Sequence, residues 1–558
     1  MYLKEKNKFD NFAQSFQQKG NDQNNQANQS KELKASVEKL ISAFEGQKNK
    51  EWQDPQSPKI HVSTTISKMA FLYEKIRIAI DYKDEHLLRK NAIERILTRW
   101  LNEGKIETFN IRSLIVELIR AGYLKNDTVP ENLVNQVQKI FEKYLKLMRQ
   151  SSFLEKGQKR AELNEWILSI ASVEIEHAFF PPHKQQALIE FAYSILHDKV
   201  YIEDETSEQV KNTQLYIAIH RALMKSDDAI IRHSILQLYY PEWTMADDNL
   251  IAEVARNIKK LKKAIGKQID NPIAGPIFRQ VKKYIIILTI LRDIIEHNKG
   301  QARNIISKPK ILNEHIKKAC QFRYRKAREK LKRSTLRAVI YIVLTKTVLA
   351  FILELPFDIL VYNTIHYPAL ITNVFFHPIL LIFISASIKI PAKKNTARVT
   401  QAINSLVYQG EKEFKFEHLK KPIKHRAKWN IIFNILYFIV FVISFGLVIY
   451  ILRLFDFNIV SIFLFLLFLS LVSFFGIKSR ETTRELIIVE KKKTIIGALI
   501  DFFSIPIIRM GRWLSLKAPK INIFAFVLDF IIEAPFKTLV EVLDQWMNFI
   551  REKKEEIY

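Results

Sequence analysis

The sequence is short of three things that define common protein classes: cysteine, glycine and an apolar amino terminus. Its single cysteine, Cys320, excludes an internal disulfide framework and a multi-cysteine zinc site, so we expect an ordinary thiol in a reducing compartment. Only 13 of 558 residues are glycine, which argues against glycine-rich phosphate loops and favours a helical chain. The first residues, MYLKEKNKFDNF, lack the apolar core of a secretory signal, so we expect internal segments to direct membrane insertion.

Catalytic motifs are absent as well. The sequence contains no Walker-type loop, GxGxxG, HExxH or GxSxG. One pair, Glu174 and His177, has the spacing of a di-iron carboxylate helix, but a complete site needs a second Glu-x-x-His. The nearest candidate, Asp293 to His297, has a different spacing. We therefore predict no catalytic residue and no cofactor, and a metal-dependent enzyme using Glu174 and His177 is the third of three functional hypotheses.

Long uncharged stretches place the chain in a membrane. Residues 429–452 and 459–477 carry no charge, and each is long enough to cross a hydrocarbon core of about 30 Å. Residues 337–361 and 369–390 form a second, less uniformly apolar pair of stretches of similar length. Because short connections join the members of each pair, the sequence predicts four spans in two antiparallel hairpins. We number them spans 1 to 4 in chain order.

Lysine and arginine are concentrated on one side of these hairpins. Residues 310–337 contain eleven Lys or Arg against two Glu, and residues 391–428 contain ten against three, whereas the tips at 363–368 and 453–458 are neutral. The positive-inside rule therefore predicts cytoplasmic termini and a cytoplasmic 391–428 loop. Charge placed in this way favours anionic lipids as partners, at about 1 kcal/mol per residue, and argues against nucleic acid as the reason for the +28 net charge.

The remaining chain divides by composition and apolar spacing. Residues 1–62 read as a disordered polar tail with one short helix, and residues 63–300 show helical periodicity throughout, typical of an irregular all-helical cytoplasmic domain. Residues 301–336 predict a basic juxtamembrane helix. Within residues 494–551, the apolar segment 494–513 is short and broken by Pro506, and the apolar segment 521–532 has only twelve residues. These lengths predict interfacial or re-entrant segments, and the final stretch predicts an amphipathic helix. If both apolar segments in this region crossed, there would be six spans instead of four.

The basic juxtamembrane helix has two interpretations. It is either a solvated connector whose positive charges keep it on the cytoplasmic side, or a binding surface for a polyanion, namely lipid, ribosomal RNA or an acidic protein. Dense arginine without interleaved aromatic residues is a poor platform for stacking bases. The residues predicted to contact lipid or a partner are Arg323, Arg325, Lys326, Arg328, Lys330, Lys332 and Arg333.

Span 1 carries three charges on one stripe. Lys346, Glu354 and Asp358, with Ala350 between the first two, advance in steps of four, so they lie within about 120° of one helix face. Charged groups inside a membrane need partners, and the stripe therefore predicts a buried polar seam that is a glue between helices, a proton or ion path, or a gate. The predicted partners are Asn373 and His377 on span 2, or alternatively Asn430 and Asn434 at the start of span 3. A kink is expected at Pro356.

Two eleven-residue segments of the sequence are similar to each other. FILELPFDILV at 351–361 and FIIEAPFKTLV at 530–540 share seven identities, including Glu-x-Pro-Phe. Apolar residues are so abundant after residue 335 that chance accounts for much of the match. We interpret the two copies as separate kinked helices and assign a functional hypothesis to Glu354 alone.

Two segments resemble a known group. Residues 73–97, YEKIRIAIDYKDEHLLRKNAIERIL, and the ending from Ile505, IPIIRMGRWLS and then INIFAFVLDFIIEAPFKTLVEVLDQW, resemble uncharacterised multi-pass membrane proteins of ultrasmall, reduced-genome bacteria. The resemblance implies a bacterial cytoplasmic (inner) membrane. It implies no activity, cofactor or catalytic residue.

The sequence thus predicts an all-α protein in which an irregular helical array precedes a helical transmembrane bundle and C-terminal interfacial helices. The favoured function is a membrane-anchored scaffold or assembly factor that binds a protein partner through its cytoplasmic helical domain. The second hypothesis is a small conduit or transporter that uses the seam of span 1. A homo-oligomer is compatible with either.

Overall fold

The computed structural model of the chain describes residues 26–45, 58–62, 85–106, 110–154, 156–202, 208–409, 427–488 and 495–517, together with Trp546. It is 85% helical, and the described residues form no strand, which confirms the all-α class. These residues divide into two compact units. The helical unit comprises residues 26–307 with 404–409 and Trp546, and the membrane unit comprises residues 308–403 with 427–517.

Eleven described helices build the helical unit. They are α1 Gln26–Glu45, α2 Glu85–Asn102, α3 Ile111–Arg120, α4 Glu131–Ser151, α5 Gly157–Phe179, α6 His183–Leu196, α7 Glu208–Leu223, α8 Asp228–Tyr239, α9 Asp248–Ile269, α10 Ala274–His297 and α11 Ala302–Ser307. Three of them begin at an Asn or Asp whose side-chain oxygen accepts a backbone N–H of the first turn: Asn110, Asp227 and Asp247. Such caps satisfy donors that the helix itself leaves free.

The core of this unit is centred on α5. Residues 166–176 of this helix are buried on every side, and the helix packs against α2, α4 and α8. Helix α9 packs against α4, and α7 packs against α10 and α6. The predicted short helix of the polar tail is present as α1, which buries Val37, Leu40 and Phe44 and contacts α6.

The described part of the membrane unit has six α-helices of more than ten residues. They are α12 Pro309–Leu349, α13 Tyr367–Ser387, α14 Lys393–Asn404, α15 Ala427–Leu454, α16 Ile459–Arg484 and α17 Ile495–Lys517. Four helices of the described chain are long and apolar enough to cross a membrane: Pro309–Tyr362, Tyr367–Ser387, Ile431–Leu454 and Ile459–Glu481. Each of them overlaps one of the four predicted spans, although predicted span 2 extends three residues beyond Ser387 and predicted span 3 begins two residues before Ile431. The two hairpin tips each hold one residue in the left-handed region, Asn363 and Asp456, residue types that tolerate it.

Span 1 continues a single long helix. α12 has 41 residues with no glycine and no proline after Pro309, and it enters span 1 without interruption. It then continues through two π-helical turns, Ala350–Glu354 and Asp358–Tyr362, on either side of Leu355–Phe357. The helix is therefore wider than an α-helix on both sides of Pro356, and the kink expected at this residue stays a prediction. Proline has no N–H and its ring collides with the preceding turn, and a π turn accommodates both.

Other boundaries differ from the predictions. The basic helix begins at Pro309 rather than near residue 301, because Lys308 has an extended backbone that separates it from α11. Part of the predicted 391–428 loop is the helix α14, which buries Val399 and Ile403. Pro506 does not break its segment, since α17 runs unbroken through it. The 1–25 tail, residues 63–84, the segment 521–532 and the second copy of the repeat lie outside the described residues.

Helices cross closely where glycine is present. A Cβ atom on Gly511 of α17 would lie 1.9 Å from the Ser470 carbonyl oxygen of α16. A Cβ atom on Gly476 of α16 would lie 2.5 Å from the Ile384 side chain of α13. Small residues at such crossings let helix backbones approach each other inside a membrane. Helix α17 also contacts α15, where Arg509 lies 5.0 Å from the centre of the Tyr437 ring.

Candidate functional site

The charged stripe of span 1 faces the interior of the membrane unit. Lys346, Glu354 and Asp358 are each 2–3% exposed, whereas Phe351 and Ile352 between them are 64% and 62% exposed. A four-residue step turns an α-helix by about 40° beyond one full turn, and the wider π turns reduce that drift. The π turns therefore keep the charges in line on a narrow buried face of an otherwise apolar helix.

The amide of Asn373 connects the lysine to the first carboxylate. Lys346 Nζ donates to the main-chain and side-chain oxygens of Asn373. Asn373 Nδ2 in turn donates to Glu354 Oε1 at 2.6 Å. The second oxygen of that carboxylate, Oε2, accepts from Ser461 Oγ of span 4 at 2.9 Å. Three spans thus meet at Glu354, and its ammonium partner is reached through an amide rather than directly.

The second carboxylate lies at the hairpin tips. Asp358 Oδ1 accepts from Asn458 Nδ2 at 2.6 Å. Asn458 also caps α16, since its Oδ1 accepts from Ser461 N at 2.6 Å. Because Ser461 contacts Glu354, the polar groups form one connected chain from Asp358 at the tips to Lys346. Twelve residues separate the two along span 1, a length of about 18 Å.

A histidine lies next to the lysine end of this chain. His377 is completely buried, and its Nε2 is 3.0 Å from the Phe465 carbonyl oxygen. Its Nδ1 has no hydrogen-bond partner among the described residues. The rings of Phe465 and Phe468 contact both His377 and Lys346, whose Nζ lies 5.7 Å and 5.1 Å from their centres. We call Lys346, Glu354, Asp358, Asn373, His377, Asn458 and Ser461 the intramembrane cluster.

Apolar side chains close the other side of the cluster. Towards the basic end of span 1, Ile342 packs with Leu381, Phe468 and Val472. The next polar contact in that direction is between Thr335 and Ser385, whose hydroxyl oxygens are 2.6 Å apart. The cluster is therefore continuous with the hairpin tips and separated by apolar packing from the basic side.

The structure brings together all five residues of the predicted seam. Of the alternative partners on span 3, Asn434 is exposed, and the side chain of Asn430 lies outside the described residues. Asn458 and Ser461 were missed. Asn458 precedes an apolar run, the position of a helix cap, and this signal was available in the sequence.

The metal-site candidates Glu174 and His177 lie in the helical unit with other partners. Glu174 Oε1 accepts from Lys143 Nζ at 2.5 Å, and Oε2 accepts from the Tyr144 hydroxyl at 2.6 Å. His177 packs edge to face against the His233 ring. In the described part of the chain, no group of three or more His, Cys, Asp or Glu is placed to hold a metal ion. The pair therefore belongs to a structural network, which Trp243 completes by donating from Nε1 to Tyr144 at 3.0 Å.

Burial dominates the electrostatics of this network. Loss of water lowers the pKa of Lys143, although Glu174 opposes the shift. Burial also lowers the pKa of His177 to about 3 and that of His220 to about 4, so both imidazoles are neutral at physiological pH. Burial raises the pKa of the nearby Glu176 to about 6 against the opposing charge of Arg89, which donates to it at 2.8 Å and 3.0 Å.

The predicted basic contact residues occupy α12 before span 1. Six of the seven are exposed or nearly so, and Arg323 is half-buried. The opposite face of α12 buries Leu312, Ile316, Cys320 and Tyr324. Asn395 of α14 holds this region together, because its Nδ2 donates to the Tyr324 hydroxyl at 2.8 Å and to the Leu486 carbonyl at 2.7 Å. The basic helix is thus one wall of a small packed assembly with an outward cationic face.

The helical unit also has an open polar groove, which sequence reasoning did not predict. Its volume is about 770 Å³, and it lies between the start of α3 and the first half of α4. An ion pair crosses it, with Arg112 Nη1 2.8 Å from Glu131 Oε1. Its other lining residues are Asn110, Asn132, Val134, Asn135 and Gln138.

Comparisons of the chain with protein family models, with curated proteins and with solved structures found no match. The function proposed below is therefore argued from geometry.

Proposed function

We propose that the protein is a membrane-anchored scaffold whose helical unit binds a protein partner in the groove between α3 and α4. The spans hold the unit at the bilayer, and the basic face of α12 contacts anionic lipid headgroups on the same side. In this proposal the membrane is a bacterial inner membrane, and the basic segments and both termini face the cytoplasm.

The observation that supports this function is the chemistry of the groove. Four of its seven lining side chains are carboxamides. A carboxamide offers both a donor and an acceptor, as a peptide backbone does. Asn110 Oδ1 accepts from Arg112 N and Gln138 Nε2 donates to Glu142, and the remaining donors and acceptors of the four carboxamides suit an extended polar segment of another chain. Glu131, Asn135 and Gln138 follow one face of α4 at helical spacing, which provides a line of contacts about 10 Å long.

Photo-crosslinking in native membranes tests the scaffold. A photoreactive residue at Asn135 is expected to capture one protein in stoichiometric amount, whereas the same residue at Asn257 on α9 is the matched control. The captured protein, once purified, should bind the full chain about tenfold more weakly after Asn135→Arg, a loss of about 1.4 kcal/mol. Equal binding by this variant, or capture of only a second copy of the chain, would refute the proposal.

A second candidate function, a small conduit, is favoured by the intramembrane cluster. Polar and charged residues inside spans commonly mark ion or proton paths, and π-helical turns are frequent at functional sites. Proteoliposome flux separates the two functions. A flux that disappears in Lys346→Leu and Glu354→Leu would support the conduit, and unchanged flux in both variants would refute it.

A further inference from the structure

We propose that the intramembrane cluster is a proton-binding site that exchanges its proton with the side of the hairpin tips. This inference rests on the cluster that supports the conduit, and it concerns binding rather than flux. It does not depend on the groove or on a protein partner.

The charges of the cluster do not balance. Span 1 contributes one ammonium, Lys346, and two carboxylates, Glu354 and Asp358, all three buried. Span 2 contributes His377, and span 4 contributes only the neutral Asn458 and Ser461. With His377 neutral, the cluster therefore carries one excess negative charge. A buried charge without a counterion is costly in an apolar surrounding, so the cluster must take up one positive charge.

Among the described residues, the charged groups near the cluster do not supply this charge. At the tips, Arg453 and Asp456 are exposed and His366 is partly exposed, so water solvates them. Among the described residues, the side-chain hydrogen bond of Asp358 is with the neutral Asn458 amide. The carboxylate nearest the tips is thus the one without a cation.

The donors around the carboxylates favour a proton over a metal ion. Asn373 Nδ2, Ser461 Oγ and Asn458 Nδ2 direct hydrogens at the carboxylate oxygens. A sodium or calcium ion would need several oxygen lone pairs converging on one point, and these donors occupy them. A proton on Asp358 neutralises the excess charge while Oδ1 keeps its hydrogen bond from Asn458. At Glu354, where both oxygens accept hydrogen bonds, the Ser461 hydroxyl would have to turn from donor to acceptor.

The access side follows from the packing. Asp358, Asn458, Ser461 and Glu354 are joined by hydrogen bonds from the tips inwards, whereas Ile342, Leu381, Phe468 and Val472 fill the space beyond Lys346. Under the proposed orientation, the open side is the outer face of the membrane.

Labelling with a membrane-permeant carbodiimide tests the site, because this reagent modifies protonated carboxyl groups buried in membranes. The full chain in liposomes is labelled at a series of pH values set on the tip side, and the modified residues are mapped by mass spectrometry. Labelling of Glu354 or Asp358 is expected to rise about tenfold per pH unit of acidification until it saturates. Acidification of the basic side alone should have no effect.

Charge-neutral variants sharpen the test. Asp358→Asn removes the carboxylate that has no cation, so Glu354, which is connected to Lys346 through Asn373, should lose its acid-dependent labelling. Glu354→Gln leaves Asp358 without a cation, so Asp358 should keep its acid-dependent labelling, and this variant serves if the first does not fold. The matched control, Glu329→Gln on the exposed face of α12, should label like the wild type.

Two results would overturn the proposal: labelling that is absent or independent of pH, and labelling that sodium suppresses at constant pH, which would indicate a metal-cation site. Labelling without proton flux would refute the conduit and leave the binding site standing.

Discussion

Each unit buries a lysine close to a glutamate, and the two pairs are built differently. In the helical unit, Lys143 and Glu174 form a direct ion pair at 2.5 Å, and a tyrosine hydroxyl and a main-chain carbonyl occupy their remaining positions. In the membrane unit, an amide stands between Lys346 and Glu354, and a further carboxylate follows at Asp358. The first arrangement is neutral, and the second is not.

The difference shows what makes a buried charge structural. A pair with one positive and one negative charge needs no additional charge, and this pair links α4 to α5. An unbalanced cluster needs an additional positive charge, so its state depends on its surroundings. Burial alone does not distinguish the two sites, since the four side chains are 2–7% exposed. The two sites differ in their number of positive and negative charges.

The largest effect is expected from breaking the neutral pair. Lys143→Met leaves Glu174 buried without a counterion and should lower the free energy of unfolding by about 3–5 kcal/mol. Urea unfolding of the full chain in detergent, followed by tryptophan fluorescence, measures it. The matched control is Lys146→Met on the same helix, because the Lys146 pair with Asp248 is exposed and is worth less than about 1 kcal/mol. Equal losses in both variants would show that the buried pair contributes nothing special.

In the membrane unit, removing the lysine and removing a carboxylate should have different effects. Lys346→Met raises the charge imbalance and should destabilise the unit by about 3 kcal/mol, whereas Glu354→Gln reduces the imbalance and should stay within about 1 kcal/mol of the wild type. The buried thiol of Cys320 reports this unfolding through its reaction with a thiol-specific dye. If Glu354→Gln were as damaging as Lys346→Met, the cluster would be a balanced pair like that of the helical unit.

Packing offers a test of whether the membrane unit is as tightly built as the helical unit. Gly511→Ala places a Cβ against the Ser470 carbonyl and should destabilise the contact of α17 with α16 by up to about 3 kcal/mol. Gly446→Ala on α15 is the control, since a Cβ atom added there would meet no described atom within 4 Å, and it should be neutral or stabilising by up to about 1 kcal/mol. Cys320 reactivity again provides the measurement. Equal stability of the two variants would mean that the close contact between Gly511 and Ser470 does not contribute to the stability of the membrane unit.

The smallest effect concerns pH and the helical unit. Because burial holds the pKa of His220 at about 4, the unfolded chain binds protons more readily below pH 6.5, and stability falls as the pH falls. At pH 5 the loss from His220 is about 2 kcal/mol. His220→Asn removes this part of the loss, and urea unfolding between pH 7 and 5 measures the change. Glu176, with its raised pKa, contributes in the opposite direction in wild type and variant alike. If wild type and His220→Asn lost the same free energy of unfolding between pH 7 and 5, the lowered pKa of His220 would be contradicted.

Much of the architecture follows from sequence periodicity. Uncharged stretches predict the four spans, and the four-residue steps of Lys346, Glu354 and Asp358 predict their common face. The partners were harder to derive, because a serine in a membrane helix usually bonds to its own backbone. That Ser461 instead contacts Glu354 depends on how spans 1 and 4 pack. The π turns depend on the same packing, since a proline can equally kink a helix. The groove between α3 and α4 carries no sequence motif, because it is formed by residues that are ordinary for a helix surface.

The uninterrupted course of α12 has a mechanical consequence. Lys346 and Arg325 stand 21 positions apart on one rod with no glycine, proline or bulge between them, a distance of about 32 Å. A helix of this kind has no local irregularity at which it would bend or unwind. We therefore expect a rotation of the cationic face, caused by bound lipid or a partner, to be passed along α12 to Lys346, and the first irregular segment beyond it is the π turn that begins at Ala350.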